Sequence, residues 1–151
     1  MDKGIYCLVF RNPACTVRIG ALGDMAFETG WHVYVGSALG SGGLKRLERH
    51  IHLYTERGRP PKWHVDYLLV DPRFFLSYAV FAATPDRLEC RLAGTLRGEH
   101  IRGFGCSDCD CPSHLMYRSK DPRQELAGAF RHLGLDPAIK RIMSPDVNAT
   151  V

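Results

Sequence analysis

The sequence predicts an α/β-type (α+β) domain with a small mixed or antiparallel three-stranded central sheet flanked by helices. Three observations predict it. Segments of strand length rich in β-branched and aromatic residues occur at 4–10, 31–37 and 75–83. Stretches near 43–54, 84–96 and 121–134 repeat apolar residues at helical spacing. The chain has 151 residues, 45% hydrophobic and 24% charged, which suits one globular unit with its own core.

Each element has a local cause. "GIYCLVF" (4–10) is a nearly unbroken apolar run, as expected of a strand buried on both faces. "CTVRIGALG" (15–23) reads as a neighbouring strand. In "WHVYVGS" (31–37), Val33 and Val35 take one face and His32 and Tyr34 the other. Helix 43–54 places Leu44, Leu47, Ile51 and Tyr54 in one stripe, with Arg46, Arg49 and His50 well round from it. "KWHVDYLLV" is too short and mixed to assign, and "FLSYAVFAA" (75–83) is a further buried strand. A helix follows, with Thr84 as N-cap, Pro85 in the first position and Leu88, Leu92 and Leu96 as its core stripe. The last helix has Asp121 as cap, Pro122 at its start, a stripe of Leu126, Phe130 and Leu133, and Gly134 as its stop. Residues 1–143 read as a single domain that includes a cysteine-rich loop at 103–114, and 144–151 as a flexible tail.

Composition narrows the function. No run reaches the roughly 20 apolar residues of a membrane helix. The apolar start meets Arg11, Asn12 and Pro13 with no small-residue cleavage site, so a cytoplasmic protein is expected. A formal net charge of +4 leans toward polyanions. "GSALGSGG" between strand and helix lacks the Gly-Lys-Ser/Thr ending of a phosphate-binding loop. Its glycine spacing does not fit a dinucleotide site either.

Gly4-Ile5-Tyr6 on the first strand, Tyr34-Val35-Gly36 on a later one, and Arg46 and His50 one turn apart on the next helix form an ordered set. The chain thereby resembles the GIY-YIG nuclease family over roughly residues 4–100. The phrases "YVGSALGSGGLKRLERH", "KWHVDYLL" and "GFGCSDCDCPSHLMY" resemble its small stand-alone Uri-type branch. The resemblance implies a metal-dependent endonuclease that hydrolyses phosphodiester bonds by water attack, with DNA favoured over RNA, and one Mg²⁺ or Mn²⁺. Tyr6 and Tyr34 would flank the scissile phosphate, one of them positioning or deprotonating the water. Arg46 would clamp the phosphate, and His50 would assist proton transfer or orient Tyr34. Glu89 is the metal carboxylate, with Asp66 in the His-x-Asp pair as the alternative. Lys45, Arg49 and Ser37 would contact nucleic acid. Ser37 stands where several members of that family carry lysine, and their asparagine phrase after the glutamate helix has no counterpart here.

The chemistry suits the residue types. A divalent ion polarises the phosphate and stabilises the leaving oxygen, and magnesium needs only one or two carboxylates. A guanidinium forks onto phosphate oxygens. Of six cysteines, Cys7, Cys15 and Cys90 are scattered, as small buried hydrophobes usually are. Cys106, Cys109, Cys111 and His114 crowd into one loop, giving either a structural zinc site or a loop of reduced or redox-sensitive thiols. A non-catalytic nucleic-acid-binding module with a structural zinc is the alternative function. The sequence defines no protein partner.

Overall fold

The structure is a computed structural model and describes residues 2–105 and 111–142. Cys106 and Cys109 of the expected zinc set, and the tail from 144, lie outside the described residues. The order is β1 (Gly4–Asn12), β2 (Cys15–Arg18), a 3₁₀ turn (Gly20–Leu22), β3 (Asp24–Phe27) and β4 (Gly30–Ala38). Then come α1 (Lys45–Glu56), α2 (His64–Leu69), β5 (Phe75–Ala83), α3 (Glu89–Thr95), β6 (Leu115–Arg118), α4 (Arg123–His132) and β7 (Ala138–Arg141). It is a mixed α+β fold, with four helices flanking a five-stranded antiparallel sheet of order β6-β4-β1-β5-β7 and a separate two-stranded sheet.

The three expected strands form the centre of the main sheet. β1 pairs with β4 and with β5, and its side chains alternate between two cores. Tyr6, Leu8 and Phe10 enter the core shared with α1 and α2, whereas Ile5, Cys7 and Val9 enter the one beneath α3 and α4. That double burial explains the unbroken apolar run. Val33 and Val35 share the second core, and His32 and Tyr34 face the first, as the alternation requires.

Five expectations change. The segment after Cys15 is a strand only to Arg18 and pairs with β3 in the small sheet rather than joining the main one. The main sheet is wider than three strands, because the short β6 and β7 close its edges. The helix expected from Thr84 begins at Glu89. Thr84 Oγ1 instead accepts the Asp86 N–H at 3.2 Å, closing a turn ahead of it. The unassigned "KWHVDYLLV" contains α2, started by Asp66, whose Oδ2 accepts the Lys62 and Trp63 N–H groups at 2.9 Å each. At α4 the helix begins at Arg123 with Pro122 in the cap position, one residue later than expected, and Asp121 Oδ1 accepts the Arg123 N–H at 3.1 Å. Among the described residues no helix is long and apolar enough to cross a membrane.

Candidate active site

The register of β1 on β4 sets Tyr6 opposite Gly36 and Leu8 opposite Tyr34, so the two tyrosines are diagonal neighbours on one face. Gly36 is required there. A Cβ at that position would sit 2.6–2.8 Å from the ring and hydroxyl of Tyr6. Beyond β4 the chain turns through the glycine-rich segment into α1, which swings Arg46 and His50 back over the same face. Arg46 is exposed, and its Nη1 donates to the Ser37 carbonyl at 3.2 Å.

These residues line a cleft of about 590 Å³ together with Glu89, Trp63, His64, Arg87 and His114. Tyr6, Tyr34, Arg46, His50 and Glu89, the first and last of which are 83 residues apart (89 − 6), therefore share one cavity. Ser37 lines it too; Lys45 and Arg49 are exposed on α1 and do not.

Burial divides the chemistry among them. Tyr6 is only 1% exposed, and desolvation raises its hydroxyl well above the ordinary tyrosine value, so it keeps its proton at neutral pH. Its Oη lies 2.9 Å from His50 Nε2. His50 was placed away from the apolar stripe of its helix, yet it is buried at 7% exposure, because the Tyr6 hydroxyl and α2 cover it. That burial pushes its imidazole down to about 4, against the opposing pull of Asp66, and leaves it neutral at physiological pH. His50 Nδ1 is 3.8 Å from Asp66 Oδ1, a through-space interaction rather than a hydrogen bond.

The two candidate carboxylates are placed differently. Asp66 is taken up in capping α2 and does not line the cleft. His64 does line it, and its Nδ1 accepts the Gly105 N–H at 2.9 Å, so the two side chains of the His-x-Asp pair are engaged with different partners. Glu89 lines the cleft at 6% exposure. Its Oε2 is buried with no hydrogen-bond partner among the described residues, and Oε1 lies 3.8 Å from Arg87 Nη1. A buried carboxylate oxygen without a donor is unfavourable unless something else satisfies it. A hard cation is the natural counterpart, and the residue type fits one.

A second polar group adjoins the first. Cys90, Cys111 and His114 bring their ligand atoms within 4.8 Å of one another and could hold a metal ion. Cys111 Sγ is 2.7 Å from His114 Nε2, and Cys90 Sγ is 3.8 Å from the same nitrogen. Of the expected loop ligands, Cys111 and His114 are thus brought together. Cys90, grouped in the sequence with buried structural cysteines, joins them; Cys7 is the scattered thiol that does sit sealed in the core. Burial lowers the His114 imidazole. The sequence reading also passed over Trp63, 49% exposed at the cleft, and Arg87, two residues before Glu89. Trp63 had one available signal: a large aromatic between Lys62 and His64, directly after the polar, proline-ended stretch 55–61.

Residues 5–135 match a family model described as a domain of unknown function, DUF123. No curated protein and no solved structure matches the chain.

Proposed function

The chain belongs to the DUF123 family, and from the geometry of its cleft we propose that it is a metal-dependent endonuclease that hydrolyses nucleic-acid phosphodiester bonds, DNA before RNA. The observation that carries this reading is the convergence of Tyr6, Tyr34, Arg46, His50 and Glu89 on one cavity. It agrees with the resemblance of the Gly4-Ile5-Tyr6 and Tyr34-Val35-Gly36 strands to the GIY-YIG nucleases.

In this mechanism Arg46, exposed at the rim, forks onto the phosphate oxygens. Tyr6 and Tyr34 flank the scissile phosphate. The attacking water gives its proton to the Tyr6 oxygen as Tyr6 passes its own to Nε2 of neutral His50, and the Asp66 charge steadies the imidazolium that forms. Glu89 would hold one Mg²⁺ or Mn²⁺ through its unpartnered oxygen, and the ion would polarise the phosphate and stabilise the leaving 3′ oxygen. Trp63 offers an exposed ring face at the cleft for an unstacked base.

The test is incubation of supercoiled, branched and single-stranded DNA, and of RNA, with Mg²⁺ or Mn²⁺. Cleavage is expected, with Arg46→Ala and Glu89→Ala each slower by about 10²–10³. If no substrate is cut, or if both variants cut as well as wild type, the assignment fails. A second reading, a non-catalytic nucleic-acid-binding module stabilised by zinc, is favoured by the Cys90, Cys111 and His114 group. Salt-dependent DNA binding without cleavage would select it.

A further inference from the structure

Cys90 is the residue after Glu89 in the first turn of α3, whereas Cys111 and His114 belong to the loop that enters β6. The fold brings two sulfurs and an imidazole nitrogen from these separate segments to one point. We propose that Cys90, Cys111 and His114 bind a zinc ion that fastens the Glu89-bearing turn of α3 to the β4 wall of the cleft.

The ligand chemistry selects the ion. Thiolates and imidazole suit zinc, whereas magnesium takes oxygen ligands, so the cluster and Glu89 would sort two different metals. Geometry agrees. With Zn–S near 2.3 Å and Zn–N near 2.1 Å, tetrahedral S···N edges are about 3.6 Å. The Cys90–His114 separation of 3.8 Å is already close to that. The 2.7 Å Cys111–His114 contact is a hydrogen bond that opens by about 0.9 Å when an ion takes the proton's place.

The mechanical consequence follows from what each ligand is attached to. His114 is built onto the main sheet: its carbonyl accepts the Val35 N–H at 2.8 Å, and its N–H donates to Phe104 at 2.9 Å. Val35 is the centre of the Tyr34-Val35-Gly36 stretch, so this ligand shares a frame with Tyr34. Cys90, by contrast, sits on a seven-residue helix whose N-terminus has no side-chain cap. A zinc ion shared by Cys90 and His114 would therefore reference Glu89 to Tyr34. The zinc site stands on its own chemistry; its effect on catalysis rests on the nuclease reading.

The experiment measures zinc by elemental analysis in full-length protein purified under reducing conditions, and then replaces it with Co²⁺. One zinc per chain is expected, together with a thiolate-to-cobalt charge-transfer band that Cys90→Ser weakens and Cys7→Ala leaves unchanged. Alkylation mapping of the wild type keeps the test open if Cys90→Ser does not fold. Zinc should protect Cys90 and Cys111 together, and a chelator should expose both. Zinc-free wild-type protein, a Cys90→Ser variant with unaltered zinc content and cobalt spectrum, or Cys90 alkylation indifferent to the chelator would overturn the proposal. None of these readings depends on DNA cleavage, so an inactive protein that binds zinc through Cys90 defeats the nuclease reading alone.

Discussion

The two walls of the cleft are held in place by different physics. Tyr6 and Tyr34 stand on β1 and β4, which pair along nine residues each, so the backbone ladder fixes their separation before any side chain contributes. Glu89 and Cys90 stand on a short helix, and Cys111 on a loop, with no ladder between them. A wall made of strands needs only the correct alternation to place its groups. A wall made of helix end and loop needs side-chain contacts, or an ion, to reach the same definition. Substitutions that damage one wall and spare the other are the sharpest probes of this difference.

The largest effect is expected at Gly36. Gly36→Ala drives a methyl into the ring of buried Tyr6, which has nowhere to move without disturbing His50. Overpacking of this kind should cost about 3 kcal/mol of stability and, under the nuclease reading, most of the cleavage activity, while zinc content stays at the wild-type level. Its counterpart on the other wall is Gly105→Ala. Gly105 has φ +73°, and a Cβ there would lie 3.2 Å from both His114 and Tyr34. That variant should lose up to about 2 kcal/mol and should lower zinc affinity first. Thermal unfolding with parallel metal analysis measures both; equal zinc loss in the two variants would show that the walls are not separable.

How readily each wall could be read from the sequence follows the same division. Period-two alternation is local, so the faces of β1 and β4 were visible in "GIYCLVF" and "WHVYVGS". The resemblance of those strands carried Arg46 with them. His50 lies one turn before Tyr54, about 40° round the helix at the edge of the apolar stripe, and α2 and Tyr6 extend the buried face to reach it. The edge strands β6 and β7 were missed because four-residue strands carry too little pattern; all of β7 is exposed. Cys90 was invisible for a deeper reason. Its partners lie more than twenty residues on, and nothing in its neighbourhood distinguishes a ligand thiol from a core one.

Acid should discriminate the interior beneath the tyrosine strands from its surface. His32 is buried among Phe27, Phe74 and Tyr117, and its Nδ1 is 2.7 Å from Asn12 Oδ1. Its Nε2 has no partner among the described residues, so a second proton would enter an apolar ring cage, and burial lowers the imidazole to about 4. The unfolded chain takes up that proton near pH 6.5 and the folded chain only near 4. Folded protein therefore binds fewer protons between these values. The stability contribution is complete above pH 6.5 and is lost as pH falls toward 4. About 2 kcal/mol should disappear between pH 7 and 5 on account of His32, with His50 adding in the same direction. Urea unfolding across this window should show the fall, and His32→Asn should remove about half of it. A wild-type curve with no slope there would mean that His32 is not held neutral.

The smallest effects belong to the outer surface of α1. Lys45 and Arg49 are exposed and stand one turn apart, beside Arg46 but outside the cleft. If they meet only the phosphate backbone, each alanine variant should weaken binding by a similar factor on every DNA sequence and reduce the salt slope of log K by about one. Turnover at saturating substrate should not change, because neither side chain reaches the reacting atoms. Under the nuclease reading Arg46→Ala behaves differently, losing rate as well as affinity. Fluorescence anisotropy over a salt series, set beside single-turnover cleavage, separates the two outcomes. If Lys45→Ala or Arg49→Ala slowed turnover as much as Arg46→Ala, the chemistry would extend along the whole basic face of α1, and the strand-built wall would no longer account for it.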